Sequence, residues 1–300
     1  MASKCRRHQT LVSITTMVFL NGKMLPIEEA NISVLDRGFL LGDGVYEVIP
    51  SYGGRLFRLQ QHLQRLQNSL SAIRIKNPYT EAEWEKILTE LVDQESAADQ
   101  SVYLQVTRGT APKRDHVFPA EVIPTVFAMS NPIAPVSEEI LQKGVSAITL
   151  NDIRWDRCDI KAITLLANVM LRQQALDEGA AEAILVSHGF AHEGAASNLF
   201  IVNSGRIITP PKDNQLLPGV TRDLVLELAI EHQIEYEERP ISENELLQAD
   251  EIWLTSSTKE VLPVTRLNNT PVTNGLPGPM WKKMIELYRQ YKQELRSGKH

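Results

Sequence analysis

Residues 154–166 read RWDRCDIKAITLL and residues 193–200 read EGAASNLF, and these two stretches are the most informative in the chain. Lys161 lies in mostly apolar surroundings, and Glu193 begins a turn of small residues that precedes a strand. Apolar surroundings lower the pKa of a lysine amine, because burial disfavours the charged form. Lys161 is therefore a candidate nucleophile, since a neutral amine is the form that attacks an aldehyde.

An amine and a carboxylate of this kind are two groups that a pyridoxal phosphate enzyme needs. The amine bonds to the cofactor aldehyde as a Schiff base, and the acidic side chain keeps the pyridine ring protonated as an electron sink. A lysine and a glutamate 32 positions apart would mean little alone, because most such residues lie on the solvated surface. The apolar neighbours of Lys161 favour a buried amine, whereas the local sequence of Glu193 alone would favour a solvated side chain.

The two stretches closely resemble the fold-type IV pyridoxal phosphate enzymes, and the D-amino acid aminotransferases most of all. The resemblance runs from about Val18 to about Val264. It implies an α/β (α+β) fold of two domains, a small N-terminal α/β sandwich and a larger C-terminal β-rich pseudo-barrel. It also implies that Lys161 is the Schiff-base lysine and the general base, and that Glu193 partners the pyridine nitrogen.

A candidate phosphate site lies at residues 216–222, which read LLPGVTR. The Pro-Gly turn stands directly before a helix predicted to start at Thr221, so free amides, a hydroxyl and the helix dipole would converge on an anion. Taken alone, the sequence favours Thr221 as a helix N-cap and nothing more. The resemblance implies instead a phosphate cup formed by Val220 and Thr221, with Leu217 packed against the pyridine ring.

Further cofactor contacts are implied by the resemblance. Ser256 and Ser257 match the family's strand-end phosphate hydroxyls, and Arg65 matches its phosphate arginine. Alone, Arg65 would be assigned to the solvated face of its helix. Ser197 retains a hydroxyl in the EGAASNLF stretch, whereas alanines occupy the two preceding positions, where the resembling aminotransferases often carry hydroxyl residues.

The loop at residues 108–119, RGTAPKRDHVFP, follows a predicted strand and holds an Arg-x-His pair. Arg114 can bind a carboxylate through two parallel hydrogen bonds, and His116 adds a second donor. Alone, the segment is typical of a basic surface loop. The resemblance implies a trap for the substrate α-carboxylate, completed by the phenol of Tyr46. Lys113 is an extra residue relative to the family pattern and is expected to shift Arg114 along the loop.

These features predict a transaminase that moves the amino group between a D-amino acid, such as D-alanine, and a 2-oxo acid, either 2-oxoglutarate or pyruvate. The resemblance also implies a homodimer in which the loop at residues 108–119 reaches the partner's cofactor. Three enzymes on the same scaffold are alternatives: aminodeoxychorismate lyase, branched-chain L-aminotransferase and (R)-selective amine transaminase. None of them is expected to use Arg114 and His116 as a carboxylate trap. A non-catalytic pyridoxal phosphate carrier is a further alternative, but storage requires no substrate site.

The composition of the 300 residues narrows the class of partner. A net charge of −6 argues against nucleic acid or an anionic membrane as the main partner. No window approaches the roughly 18 apolar residues of a membrane span. The two cysteines, Cys5 and Cys158, cannot form a disulfide framework, which favours the reducing cytoplasm. Cys158 is expected to be a small buried packing residue, and no metal site is predicted.

The two prolines in the stretch NPIAPV lack the backbone N–H that a helix or a β-ladder needs for its hydrogen bonds. They predict an extended interdomain linker at residues 131–137. The linker separates an N-terminal α/β domain at residues 17–130 from a C-terminal cofactor-binding domain at residues 138–300. The active site is expected at their junction. Residues 1–16 are expected to form a disordered extension.

Hydrophobic periodicity predicts the main elements. Apolar residues at spacings of four and three predict an amphipathic helix from Leu59 to Ile73. Thr80 and Glu83 predict a capping box before a second helix, and alternation predicts a half-buried strand at residues 102–107. In the second half we predict strands at residues 183–187, 198–203, 206–209 and 252–255, and helices at residues 243–248, at residues 280–294 and from Thr221.

Overall fold

The computed structural model describes residues 16–299, so the predicted extension at residues 1–16 lies outside the described residues except for Thr16. The N-terminal part contains β1 (Met17–Leu20), β2 (Lys23–Pro26), α1 (Arg37–Leu41), β3 (Gly44–Tyr52), β4 (Arg55–Leu56), α2 (Leu59–Ala72), α3 (Glu81–Gln94), β5 (Asp99–Thr107) and β6 (Thr125–Pro132). Its strands form one sheet in the order β2-β1-β6-β5-β3-β4, and all neighbours are antiparallel.

Helices α2 and α3 are amphipathic and pack against this sheet. Leu63 and Leu66 of α2 are buried in one hydrophobic cluster with Val102 of β5. The predicted helix from Leu59 is therefore confirmed, and the predicted strand at residues 102–107 lies within β5. Thr80 and Glu83 form the predicted capping box at the start of α3, and each satisfies a backbone amide of the other.

Two residues of the predicted linker belong instead to a strand. Asn131 and Pro132 end β6, and Pro132 lies opposite Gln100 of β5. Ile133 donates its amide to the carbonyl oxygen of Asp99 at 3.0 Å, so the preceding pair is a non-hydrogen-bonded pair of the antiparallel ladder. A proline fits at that position because its missing N–H would point away from β5.

The C-terminal part forms a second, larger sheet. Its elements are α4 (Glu138–Lys143), β7 (Val145–Asn151), α5 (Leu166–Asp177), β8 (Glu182–Ser187), β9 (Phe190–Gly194), β10 (Asn198–Asn203), β11 (Arg206–Thr209), α6 (Val220–Glu231), β12 (Tyr236–Glu238), β13 (Ile241–Ser242), α7 (Glu243–Leu247), β14 (Glu251–Ser256), β15 (Glu260–Leu267), β16 (Thr270–Pro271) and α8 (Pro279–Arg296). The path β10-β14-β15-β7-β8-β9 returns to β10 through a further β9–β10 pairing. This closed ring of strands is the predicted pseudo-barrel.

The predicted strands of the second half fall within β8, β10, β11 and β14, but two boundaries near the site are wrong. Helix α6 begins at Val220, with Gly219 rather than Thr221 at its N-cap. The reason is that the amide of Asp223 donates to the carbonyl of Gly219 at 3.0 Å, which starts the helical bonding two residues earlier. Glu193 lies within β9 and pairs with β8, so the turn of small residues begins after it.

Aromatic side chains join the two sheets. The ring of Phe57, between β4 and α2, lies 5.5 Å from that of Tyr52 and 5.9 Å from that of Tyr288 on α8. Arg58 donates two hydrogen bonds of 2.6 Å to Glu227 on α6. These contacts fix α2 relative to α6.

Within residues 16–299, none of the helices combines the length and the apolar character that crossing a membrane would require.

The buried carboxylate of Glu251 anchors α8 to the barrel. It accepts hydrogen bonds from the amides of Met280 and Trp281 at 2.8 Å each and from Nε1 of Trp253 at 3.0 Å. Gly278 is the N-cap and offers no side chain of its own, and a Cβ there would lie 2.1 Å from the Glu251 carboxyl carbon. Glu251 therefore takes the place of the usual capping side chain, and its negative charge interacts favourably with the positive end of the helix dipole.

Glu251→Ala should lower the free energy of unfolding by about 2–4 kcal/mol, because three buried donors lose a charged acceptor. Urea unfolding measures the change. Glu286→Ala, an exposed glutamate on the same helix, is the control and should stay within about 0.5 kcal/mol of the parent protein. Equal stability of the two variants would show that Glu251 does not cap α8.

Candidate active site

A cavity of about 1220 Å³ lies at the junction of the six-stranded sheet and the barrel. Residues from both parts of the chain line it, as expected for a site between two domains. The cavity brings together nearly all the residues predicted from sequence. Those in its lining are Tyr46, Arg65, His116, Lys161, Glu193, Ser197, Leu217, Val220, Thr221, Ser256 and Ser257, and the predicted residue outside it is Arg114.

Lys161 is fixed through its backbone at the wall of the cavity. Its carbonyl accepts the amide of Tyr46 at 2.9 Å, and its own amide donates to Oγ of Ser69 at 3.2 Å. Nζ lies 4.2 Å from the centre of the Tyr46 ring. Burial, and then the nearby charge of Arg65, lower the pKa of the Lys161 amine to about 8. A useful fraction of the amine is therefore neutral, and so nucleophilic, near neutral pH.

Glu193 is a buried carboxylate surrounded by donors. Nη1 of Arg154 forms an ion pair with its Oε1, while Oε2 accepts from Nδ2 of Asn198 at 3.0 Å and from the amide of Leu217 at 3.1 Å. Arg154 is held in turn by Asp152 at 2.8 Å. Burial raises the pKa of Glu193 to about 7, although Arg154 opposes the shift. A carboxyl group that titrates near neutrality is suited to sharing a proton with a ring nitrogen.

Arg65 reaches the cavity from α2 and is held by Glu47 of β3. The guanidinium donates to the two carboxylate oxygens at 2.8 and 2.7 Å, and Nδ1 of His62 lies 2.8 Å from the same carboxylate. Burial alone would raise the pKa of Glu47, but Arg65 and His62 outweigh it and lower that pKa to about 2. Arg65 also donates to the carbonyl of Pro218 at 3.1 Å, which ties α2 to the segment before α6.

The N-terminus of α6 presents backbone amides to the cavity. Among residues 16–299, no side chain caps the helix at Gly219, and the residues that follow it, Val220 and Thr221, are buried and line the cavity. Glycine is required at the cap, because a Cβ there would lie 1.8 Å from Oδ1 of Asn198. Amides at the start of a helix, together with the helix dipole, form an anion site.

Hydroxyl groups lie at the end of β14, next to these amides in the cavity lining. Ser256 and Ser257 line the cavity, and so does the preceding Thr255. Oγ1 of Thr255 is buried and has no hydrogen-bond partner within residues 16–299. A buried hydroxyl at a cavity wall without a partner indicates a polar ligand that the protein alone does not supply.

The set of donors fits pyridoxal phosphate. Lys161 offers an amine of lowered pKa for the aldehyde, and Glu193 offers a buried carboxyl for the ring nitrogen. Leu217 gives an apolar wall for the ring. Arg65 and the first amides of α6 offer positive charge and donors for the phosphate group.

The predicted carboxylate trap is only partly assembled within one chain. The phenol of Tyr46 lines the cavity, and burial raises its pKa. His116 and Phe118 reach the lining, whereas Arg114 is exposed and lies outside it. Val117 is 73% exposed and Phe118 is 48% exposed. Arg114 and Val117 of the loop are therefore directed away from the cavity of their own chain, whereas Phe118 lies partly against it.

The amino-transferase class IV family matches residues 44–267 of the chain. The chain belongs to this family. A D-alanine aminotransferase from Bacillus licheniformis is 44% identical over 267 residues, which cover 89% of this chain and 94% of that protein. The branched-chain amino acid aminotransferase of Escherichia coli has a similar structure, with a TM-score of 0.87 and 26% identity over 92% of this chain and 94% of that one.

A second branched-chain amino acid aminotransferase, that of T.th., has been solved with pyridoxamine 5'-phosphate. It matches at a TM-score of 0.87 and 26% identity, over 95% of each chain. As a class IV aminotransferase, the present chain is a pyridoxal phosphate enzyme of fold type IV.

Sequence reasoning missed two charged residues of this aminotransferase site, Glu47 and Arg154. Glu47 stands in a strand of otherwise apolar character next to Tyr46, and a carboxylate at a buried strand position was the available signal. No comparable signal marks Arg154, because no spacing rule relates it to Glu193. Both residues hold another site residue in place.

Capture of pyridoxal phosphate by the cofactor-free protein should accelerate as pH rises toward 8. The pKa of Lys161 is about 8, so the neutral fraction of its amine grows about tenfold per pH unit below that value and levels off above it. The rate of capture, followed by absorbance, should therefore rise between about pH 6 and 8 and be flat near pH 9. Lys282→Ala, an exposed lysine, should keep this profile. A rate that still climbs near pH 10 would contradict the lowered pKa.

Proposed function

We propose that this aminotransferase transfers the amino group of a D-amino acid, such as D-alanine, to a 2-oxo acid, either 2-oxoglutarate or pyruvate. The observation that carries the proposal is the 44% identity to a D-alanine aminotransferase over 94% of that protein. The identity to the branched-chain enzymes of similar structure is 26%. The Arg-x-His pair at residues 114 and 116 supports the same substrate class, because an amino acid presents an α-carboxylate.

The three main proposed contacts each hold a different part of the cofactor. Lys161 holds the aldehyde, Glu193 the ring nitrogen, and Arg65 the phosphate. Pyridoxal phosphate, when bound, supplies an aldehyde that accepts the amino group and a ring that stabilises negative charge at the substrate α-carbon. The remaining proposed contacts are Ser197, Leu217, Val220, Thr221, Ser256 and Ser257.

Lys161 is the proposed base of both half-reactions. Its amine, with a pKa of about 8, is neutral often enough to take the proton from the substrate α-carbon, and its charged form returns a proton afterwards. Glu193 keeps a proton at the ring nitrogen, and the ion pair with Arg154 keeps Glu193 in place. Handedness then depends on which face Lys161 occupies and on which side of the cavity binds the α-carboxylate.

We also propose a homodimer in which the loop at residues 108–119 completes the partner's cavity. Arg114 and Val117 lie outside the cavity of their own chain, and the exposed side chain of Val117 is suited to a subunit boundary. In that arrangement the α-carboxylate contacts Tyr46 of one chain and Arg114 and His116 of the other, so His116, which lines the cavity of its own chain in the monomer, would also reach the partner's. The proposed compartment is the cytoplasm, since two cysteines provide no disulfide framework.

A substrate panel tests the proposed activity. The holoenzyme is offered D-alanine, L-alanine, L-leucine, an (R)-amine without a carboxylate and aminodeoxychorismate, and formation of the oxo product is measured. D-alanine should exceed each alternative by at least about tenfold in kcat/KM, because only a D-amino acid places its α-carboxylate in the trap during reaction. A preference for L-leucine would instead identify a branched-chain enzyme, and binding of the cofactor without any turnover would identify a carrier.

Arg114→Ala should lower kcat/KM for D-alanine. The loss of transition-state stabilisation, calculated from the ratio of kcat/KM values, should be roughly the 2–5 kcal/mol that truncating a buried charge pair costs. The (R)-amine should lose much less, because it has no carboxylate to bind. Lys113→Ala is the matched control. It removes a neighbouring positive charge from the same loop, but that lysine is exposed and pairs with Asp115. An equal loss for the amino acid and the amine would show that Arg114 has a structural role.

Mixing two inactive variants tests the shared site. Lys161→Ala and Arg114→Ala chains are unfolded and refolded together, so that half of the dimers are mixed. If the loop serves the partner's cavity, each mixed dimer regains one complete site, which restores about a quarter of wild-type sites. If the loop serves its own cavity, every site lacks one group and activity stays at the parental level. No recovery after demonstrated subunit exchange would rule out the shared site.

A further inference from the structure

A buried cluster of two cations and one anion lies beneath the loop at residues 108–119. Oδ2 of Asp43 accepts from Nε of Arg37 and from Nε of Arg108 at 2.7 Å each, and Oδ1 accepts from Nη2 of Arg108 at 2.9 Å. Both arginine side chains are almost fully buried, and Asp43 is 13% exposed. Charges this poorly screened by solvent are strongly coupled to one another.

Arg37 uses the rest of its guanidinium to hold the loop backbone. Nη1 donates to the carbonyl of Asp115 at 2.6 Å and to that of Val117 at 3.3 Å, and Nη2 donates to the carbonyl of His116 at 3.5 Å. Three successive loop carbonyls therefore converge on one side chain. The position of the segment that follows Arg114 depends on the position of Arg37.

Arg108 holds the other side of the loop. The centre of its guanidinium lies 3.7 Å from the centre of the Phe118 ring, which is a cation–π contact. Arg108 also donates to the carbonyls of Ile73 and Arg74, at 2.7 and 3.2 Å, directly after α2. The loop is thus connected through Arg108 to the helix that carries Arg65.

Backbone pairing contributes little to this segment. Within the described part of the chain, no backbone–backbone hydrogen bond joins residues 112–119 to any other segment. The amide of Val117 and the amine of Lys113 both bind the side chain of Asp115, inside the loop itself. Backbone hydrogen bonds therefore hold only the start of the loop, residues 108–111, and residues 112–119 depend on side-chain contacts with Arg37 and Arg108.

Asp43 is the group that keeps the two arginines together. Burial would raise the pKa of Asp43, yet Arg108 and Arg37 hold it below its ordinary value, so the carboxylate is ionised. Without that charge, two guanidinium groups would face each other in a poorly screened site. An asparagine would have the same shape, but its amide NH₂ would meet an arginine donor.

We propose that Asp43, through Arg37 and Arg108, positions the loop that carries Arg114 and His116 and thereby sets the affinity of the enzyme for the substrate α-carboxylate. Asp43 is a positioning residue in this scheme. The inference rests on the proposed function, because it assigns the loop to carboxylate binding. Arg37, Asp43 and Arg108 line the cavity of their own chain, and in the proposed homodimer the loop that they hold also reaches the cavity of the other.

Two variants and one matched control test the inference in the holoenzyme. Asp43→Asn removes the charge that pairs the arginines. Arg37→Lys keeps a positive charge beside Asp43, but the lysine amine cannot bind all three loop carbonyls. If Asp43→Asn does not fold, Arg37→Lys alone tests the inference. Glu245→Gln makes the same carboxylate-to-amide change in a remote pair with Arg239 and is the control.

Single-turnover rates with D-alanine, followed by cofactor absorbance, separate binding from chemistry. Both loop variants should raise the half-saturating D-alanine concentration about tenfold or more, with a limiting rate within about threefold, because a displaced loop weakens binding but leaves the proton-transfer groups in place. Glu245→Gln should match the wild type. A lower limiting rate with an unchanged half-saturating concentration would overturn the inference.

Limited trypsin digestion gives a readout that does not depend on activity. Trypsin cuts after Lys113 and Arg114, and mass spectrometry reports the cut site. Cleavage there should accelerate about tenfold or more in Asp43→Asn and Arg37→Lys, since released loops are the preferred sites of nicking, and should not change in Glu245→Gln. Unchanged cleavage in both loop variants would overturn the inference.

The two proposals fail in different ways. If the wild-type enzyme prefers L-leucine to D-alanine, the proposed function is wrong, and faster cleavage would then show only that Asp43 anchors a loop of another purpose. If the wild-type enzyme prefers D-alanine while both loop variants keep its half-saturating concentration, the function stands and the role of Asp43 is disproved.

Discussion

The buried contact between Glu47 and Arg65 is the constraint on which the rest of the site depends. Glu47 belongs to the sheet, Arg65 belongs to the helix packed on it, and Arg65 continues to the carbonyl of Pro218 just before α6. Removing one partner of such a buried pair typically costs about 3–5 kcal/mol, because the other charge is left without compensation. These hydrogen bonds therefore join β3, α2 and the segment before α6 at the cavity.

Burial also sets the chemistry of the cavity. It lowers the pKa of Lys161 to about 8 and raises that of Glu193 to about 7, because in each case it disfavours the charged form. Burial therefore moves the pKa of a basic group down and the pKa of an acidic group up, and both approach 7. Arg154 limits the shift at Glu193, so that the carboxyl is not simply neutralised by its surroundings. Both groups can exchange protons at the pH of a cell.

The scaffold does not decide the substrate. Branched-chain amino acid aminotransferases share this architecture at a TM-score of 0.87, while the D-alanine aminotransferase of Bacillus licheniformis is much nearer in sequence. The residues proposed for the cofactor, Lys161, Glu193 and the first residues of α6, line the cavity. Of the residues proposed for substrate recognition, Tyr46 lies in β3, whereas Arg114 and His116 lie in a segment held mainly by side chains. A rigid cofactor site beside a separately anchored loop allows one fold to serve several substrates.

Periodicity and local sequence predicted helices α2 and α3 and the Pro-Gly turn before α6, whereas Lys161 and Glu193 became candidates through the resemblance to fold-type IV enzymes. The sequence did not reveal α5 or β7, and it placed the start of α6 too late. Only the tertiary structure paired Glu47 with Arg65, Glu193 with Arg154, and Asp43 with Arg108, whose partners lie 18, 39 and 65 positions apart. A buried charge requires a partner of opposite sign, but which two charges are buried together depends on the folded chain. The spacing of residues along the sequence does not predict it.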